Sequence, residues 1–221
     1  MLPTDVRECH ERGRYRHALM SFTVAALALG VIFGFATGGR PSNIHRRPLE
    51  LVWLLAISVA LQAGAEALDL SDTAGLALVL VSYVGLAAFA FANIRLVGMP
   101  VVLVGLLCNL VVITANGGMP VEQDAILASH AATADELDTL DFGAKRHLAE
   151  DDDVLRFLGD IIPVRVSREV LSFGDLILAL GIADVIFRLL KPVELRRRED
   201  DDVIDVDRPG GVRLARDLVD A

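Results

Sequence analysis

The stretch TAGLALVLVSYVGLAAFAFANI, residues 73–94, decides the fold class of this chain. It contains 22 residues without a charged side chain, and after Arg95 a second charge-free run follows at residues 96–121. A helix needs about 20 apolar residues to cross about 30 Å of hydrocarbon, at about 1.5 Å per residue. Each run is therefore long enough to form a membrane-spanning helix.

Three further apolar stretches accompany this pair. Residues 18–39 and 51–65 carry no charge, and residues 171–190 are apolar except for Asp175, Asp184 and Arg188. Residues 18–121 hold only 8 of the 51 charged side chains, so these helices lack the polar face of a soluble bundle. The sequence predicts an all-α fold: a polytopic membrane helix bundle with about five transmembrane helices and an ordered loop between spans four and five.

Charge placement predicts the domain boundaries and the orientation. Residues 20–190 are expected to form the membrane domain, with an external loop at 117–170, and residues 191–221 a charged, disordered cytoplasmic tail. Cytoplasmic loops retain arginine and lysine. With the N-terminus outside, the inner segments carry nine such residues and the external loop five. Four arginines in the N-terminal tail cancel this difference, so either the topology is reversed or these residues do not belong to the native protein. We predict the second, with residues 1–19 a non-native or dispensable extension. The predicted location is the cell membrane, with the N-terminus outside and the C-terminus cytoplasmic.

A set of polar residues is predicted to meet at the outer face of the bundle. Two of them end spans that rise to this face, one begins the span that descends, and two come from the loop. A shared polar pocket would let the amide and imidazole groups satisfy carboxylates that are costly to hold near lipid. The predicted members of the pocket are Glu66, Asn116, His147, Asp160 and Asp175.

Several motifs of this region resemble a known family. They are NGGMPV at residues 116–121, the loop histidine His147, FLGDIIP at 157–163 and LSFGDLILALG at 171–181. Their order resembles a bacterial multi-pass membrane protein family, domain of unknown function 5317, over about residues 20–190. The resemblance implies a membrane location and a shared polar loop, and it implies no chemistry.

The region of Asp160 and Asp175 is also similar to lipoprotein signal peptidases, which hold two catalytic aspartates at the outer membrane face. The segment SFGD at residues 172–175 resembles that family's FNxAD motif, although Phe173 is displaced and the asparagine is absent. This resemblance implies that one aspartate acts as an acid and the other as a base. The same segment also fits a capping box, in which Ser172 and Asp175 bond reciprocally at a helix N-terminus.

Two functions follow from these patterns. The sequence favours an integral membrane protein with a structural, binding or assembly role at the outer face. The alternative is a membrane-embedded aspartic hydrolase that uses Asp160 and Asp175 on a lipid-linked or membrane-inserted substrate. His130 and His147 lack the spacing of metal ligands, and no metal, no cofactor and no nucleic-acid partner is predicted. The expected partners are membrane lipid and a second membrane protein.

Overall fold

The computed structural model of the chain describes residues 23–68, 70–140, 142–143 and 145–192, without the side chains of residues 46, 66, 138 and 139. The predicted N-terminal extension lies outside the described residues, and so does the predicted tail beyond residue 192.

The apolar stretches of the sequence form the long helices. The described helices are α1 (Thr23–Ala36), α2 (Val52–Ala67), α3 (Asp72–Ala92), α4 (Met99–Asn116), α5 (Gln123–Ser129) and α6 (Phe173–Leu190). Helix α4 stops short of the predicted boundary at residue 121 because Gly117 adopts a left-handed conformation, with a φ of 68°. The prediction of a mostly helical chain is confirmed. Two helices, α3 and α4, have the length and composition needed to cross a membrane.

The long helices pack as a series of neighbours. Helix α4 lies between α3 and α6, and α2 packs on the far side of α3. Helix α1 packs on α6, where a Cβ atom at Gly30 would lie 2.7 Å from the carbonyl oxygen of Ala183. Helices α4 and α6 approach most closely at Gly105 and Gly181, as small residues allow in helix pairs of membrane proteins.

One apolar core joins α2, α3, α4 and α6. Its buried side chains are Ala65, Val79, Tyr83, Phe89, Ala90, Met99, Val102, Leu106, Val112, Ile113, Met119, Val185 and Leu189.

The segment between α4 and α6 is folded and contains short strands. The strands are β1 (Met119–Val121), β2 (Arg146–Leu148), β3 (Ile162–Val164) and β4 (Glu169–Leu171). Strand β1 pairs in parallel with β2, and β3 pairs antiparallel with β4. A second small core lies here, formed by Val121, Ala125, Ile126, Leu137 and Val170. The sequence did not predict these strands, so the expectation of an all-α chain was incomplete for this segment.

The end of α6 that lies far from the folded loop accepts two hydrogen bonds from the segment after α1. The side-chain amide of Asn43 donates to the carbonyl of Leu190 at 2.8 Å, and the backbone N–H of Arg40 donates to the same oxygen at 2.8 Å. Near this end Arg188 donates from Nε to both carboxylate oxygens of Asp184, at 3.0 and 2.9 Å. The two residues stand at i and i+4 on α6, the spacing at which opposite charges on a helix meet.

Candidate functional site

A cluster of charged side chains lies between the folded loop and the ends of α4 and α6. We call it the buried charge cluster and define it by side chains whose charges interact with one another: Tyr83, Lys145, Arg146, Asp160, Glu169 and Asp175. The cluster brings the three carboxyl groups of Asp160, Glu169 and Asp175 close to two cationic side chains, Lys145 and Arg146. Such groups are costly to bury unless they are paired, so the cluster is the most unusual polar feature among the described residues.

Asp160 and Arg146 form the centre of the cluster. The Nε atom of Arg146 lies 2.7 Å from Oδ2 of Asp160, and the two side chains are 8% and 1% exposed. The opposite charges of the two groups attract at this distance, and the side chain of Arg146 lowers the pKa of Asp160 both by its charge and as a hydrogen-bond donor. The contact is therefore a buried ion pair whose strength depends on exclusion of water.

The backbone fixes where this ion pair forms. Strand β1 lies between β2, which carries Arg146, and the residue Asp160, which forms a parallel bridge with Val121. The N–H of Asp160 donates to the carbonyl of Pro120 at 2.9 Å, and the N–H of Glu122 donates to the carbonyl of Asp160 at 3.0 Å. Thus β1 holds both partners from either side.

Burial changes the protonation of Asp160. Loss of water raises the pKa of its carboxyl to about 6, and the neighbouring charge of Asp175 raises it too, while Arg146 and Lys145 lower it. Since the two cations do not cancel the effect of burial, this carboxyl takes up a proton as the pH falls through about 6.

The pKa values of Glu169 and Lys145 are also raised. Burial raises the pKa of Glu169, and the nearby Ser167 and Arg146 offset only part of this effect. Burial alone would lower the pKa of Lys145, but interactions with Tyr83 and Asp175 raise it above its ordinary value. The ammonium of Lys145 also lies 5.4 Å from the centre of the Tyr83 ring. Lys145 therefore stays charged while the acids compete for protons.

Asp175 sits in the capping box that the sequence suggested. Its backbone N–H donates to Oγ of Ser172 at 3.0 Å, and the backbone N–H of Ser172 donates to its Oδ2 at 3.2 Å. The side chain of Asn109 closes the ring, since Nδ2 donates to Oδ1 of Asp175 at 2.7 Å and Oδ1 accepts from the Ser172 hydroxyl at 3.1 Å. A Cβ atom at position 174 would overlap with Asn109, so this ring requires glycine there. The structural interpretation of Asp175 is confirmed.

The other predicted pocket residues contact different partners. Asn116 pairs with the backbone of Val154, donating to its carbonyl and accepting from its N–H, both at 2.9 Å. Nε2 of His147 lies 3.0 Å from Oδ1 of Asp153. Glu66 belongs to α2, but its side chain lies outside the described residues. The structure thus brings Asp160 and Asp175 into one electrostatic group, whereas Asn116 and His147 bond elsewhere, and the shared pocket of five residues stays a prediction.

The sequence contains only weak signals for the remaining cluster residues. Glu169 is a single acid directly before the apolar Val170 and Leu171, which is an unusual position for a solvated charge. Lys145 and Arg146 were counted only as external charges, because their role depends on pairing between β1 and β2 that no local pattern announces. Asn109 lies on an apolar helix face, and its partner is 66 residues away.

The cluster and the loop together match a known sequence family. A sequence model of that family matches residues 46–187, about two thirds of the chain, and this range includes every residue of the buried charge cluster. The chain belongs to the family of unknown function DUF5317. This membership confirms the family resemblance seen in the loop motifs. No curated protein and no solved structure matches the chain, so the similarity to lipoprotein signal peptidases rests on the residue pattern alone.

The two aspartates of this family member are both engaged by other groups of the protein. Both oxygens of Asp175 accept hydrogen bonds from the protein, and Asp160 is 1% exposed behind Arg146. Among the described residues no group of three or more His, Cys, Asp or Glu side chains is arranged to hold a metal ion. What the cluster can do is join the loop to the bundle and hold a proton below about pH 6.

Proposed function

We propose that this chain is a multi-pass membrane protein with five spanning helices, whose loop forms a fixed cap on the outer face of the bundle. In this proposal the N-terminus is outside, the C-terminus is cytoplasmic, and the cap serves a structural, binding or assembly role with membrane lipid and a second membrane protein as partners. Each of α1, α2, α3, α4 and α6 has exposed apolar side chains, which this proposal assigns to lipid.

The observation that carries the proposal is the outward apolar surface of α3 and α4. Only 33% and 39% of the most apolar window of each helix is buried inside the protein, whereas a core helix of a soluble protein is mostly buried. On α3 the side chains of Val81, Val84 and Phe91 are 60%, 57% and 66% exposed. A contiguous apolar surface of this kind is stable in hydrocarbon and unstable in water.

The cap is proposed to be fixed because three separate contacts tie it down. Asn116 at the end of α4 holds the backbone of Val154, the ammonium of Lys145 lies 5.4 Å from the ring centre of Tyr83 on α3, and Leu158 packs against the main core. Within the cap, the Arg146–Asp160 ion pair is excluded from water. A loop that served only as a connection would not need these buried polar groups, whose desolvation is costly. We infer that its shape is part of its role.

The hydrolase is the second candidate, and one observation favours it. Asp175 raises the pKa of Asp160, as expected when two carboxyl groups share a site. Catalysis would require both carboxyls to reach a substrate, and the capping bonds of Asp175 and the burial of Asp160 work against that. The structural role therefore has the better support.

The orientation is testable by cysteine labelling in intact cells. In a full chain with Cys9 and Cys108 replaced by alanine, we expect a single cysteine at the fully exposed Asp151 to react with a membrane-impermeant maleimide from outside. A cysteine at Ile44, exposed between α1 and α2, should react only after the cells are permeabilised.

Two results would overturn the proposed topology. Labelling of position 44 but not position 151 in intact cells would reverse the orientation. Equal labelling of both positions in intact cells would mean that the segment before α2 and the loop after α4 lie on the same side, which excludes the proposed number of crossings between them.

A further inference from the structure

Three exposed apolar side chains lie on the loop beside the outer end of α4. Val154, Leu155 and Phe157 are 51%, 38% and 60% exposed, and we call them the outer patch. Their neighbours along the chain face the protein: Leu158 packs against the main core, and Arg156 donates two hydrogen bonds to Glu122. The patch is therefore the outward side of an ordered segment.

The outer patch is held in place at its first residue. Asn116, the last residue of α4, makes two hydrogen bonds of 2.9 Å with the backbone of Val154. Leu155 adopts a left-handed conformation with a φ of 56°, which costs a leucine roughly 1 kcal/mol. The fold maintains this conformation although it leaves both Leu155 and Phe157 outside the core.

An apolar stripe on α4 is exposed as well. Val104, Leu107 and Val111 lie on one face of the helix and are 50%, 43% and 50% exposed. The five residue steps from Val111 to Asn116 span about 7.5 Å of helix. Asn116 is the last residue of α4 and holds Val154, so the outer patch lies at the level where the proposed span leaves the hydrocarbon.

We propose that the outer patch inserts into the outer leaflet, at the boundary between headgroups and acyl chains, and anchors the cap to lipid. This inference rests on the proposed membrane-spanning bundle. The exposed acids Asp151 and Asp152 precede the patch and would be repelled by anionic headgroups. The contact is therefore made by apolar burial, and it should respond little to salt.

Depth-dependent quenching tests the proposal. The full chain without Cys9 and Cys108 carries one environment-sensitive fluorophore on a cysteine at position 157, 111 or 166. Each protein is reconstituted into vesicles of phosphatidylethanolamine and phosphatidylglycerol, which contain a nitroxide either near the headgroup or near the end of the acyl chain. Val166, which is 99% exposed at the tip between β3 and β4, is the matched loop control.

We expect the probe at position 157 to lose most of its fluorescence with the nitroxide near the headgroup and to be protected from aqueous iodide. The probe at 111 should be quenched by lipid nitroxides, and the probe at 166 by iodide alone. Quenching of position 157 by iodide, with position 111 quenched by lipid, would overturn the lipid anchor and leave the membrane-spanning bundle intact. Protection of position 157 from both quenchers would mean that protein covers the patch, which also overturns the anchor. Failure of lipid to quench position 111 would instead overturn the proposed bundle.

Discussion

Replacing Arg146 by methionine is expected to lower the free energy of unfolding at pH 7 by about 3 to 5 kcal/mol, because it leaves the buried carboxylate of Asp160 without its closest counter-charge. The two side chains of this ion pair are 2.7 Å apart and almost fully buried. The loss should appear in denaturant-induced unfolding of the full chain in detergent micelles. Amide exchange at Glu122, which donates to the backbone of Asp160, should accelerate in the same variant.

Two control variants make this result specific. Asp152→Asn removes an exposed acid from the same loop and should change stability by less than about 0.5 kcal/mol. The double variant Arg146→Met with Asp160→Leu removes both charges, so it should recover most of the loss. If Arg146→Met keeps normal stability while Asp160→Asn abolishes the protein's role in the cell, the structural interpretation is wrong and the hydrolase is favoured.

The same ion pair predicts a pH dependence. The pKa of Asp160 is about 6 in the folded chain, against an ordinary value of 3.8. Between pH 3.8 and about 6, the folded state therefore binds more protons at this carboxyl than the unfolded state does. The free energy of unfolding should therefore rise by about 1 kcal/mol as the pH falls from 7 to 5. Glu169 contributes in the same direction. Asp153, whose pKa is lowered, changes the free energy of unfolding only below pH 3.8. The double variant should lose the part of this dependence that belongs to Asp160.

Gly181→Ala is expected to destabilise the contact between α4 and α6. A Cβ atom at this position would lie 2.6 Å from the backbone nitrogen of Val102, which cannot move without shifting α4. Because such overpacking costs about 1 to 3 kcal/mol, the variant should unfold at a lower temperature in micelles.

Gly64→Ala is the matched control for this helix contact. Gly64 also lies within a helix, but its new Cβ would meet only the flexible end of Leu68, at 4.0 Å. Alanine is the better helix former by about 1 kcal/mol, so this change should be neutral or stabilising. Equal losses from both substitutions would show that helix α6 does not depend on close approach at Gly181.

The helices were predictable because the relevant information is local. Charge-free length gave the position of α3 and α4 to within a few residues, although the end of α4 depended on a left-handed Gly117. The capping box of Ser172 and Asp175 was also visible, because it needs only residues three apart. Whether these helices cross a membrane follows from their exposed surface and not from length alone.

The buried charge cluster was only half predictable. Asp160 and Asp175 stood out as acids in apolar surroundings, but their partners Arg146 and Asn109 come from distant segments. Pairing of three-residue strands depends on backbone geometry and leaves no periodic pattern, so the parallel register of β1 and β2 could not be inferred. The partner of Asn116 is the backbone of Val154, in a distant segment, so no local pattern predicts this contact either.

Resistance to extraction tests the central claim, that α3 and α4 lie in lipid, most directly. Membranes from cells that make the full chain are washed with alkaline carbonate and then with concentrated urea, and the chain is followed in each fraction. We expect it to stay with the membranes and to be released only by detergent, because the described part of the chain leaves most of the apolar windows of both helices uncovered. Recovery of the chain in the carbonate wash, monodisperse without detergent, would contradict the account.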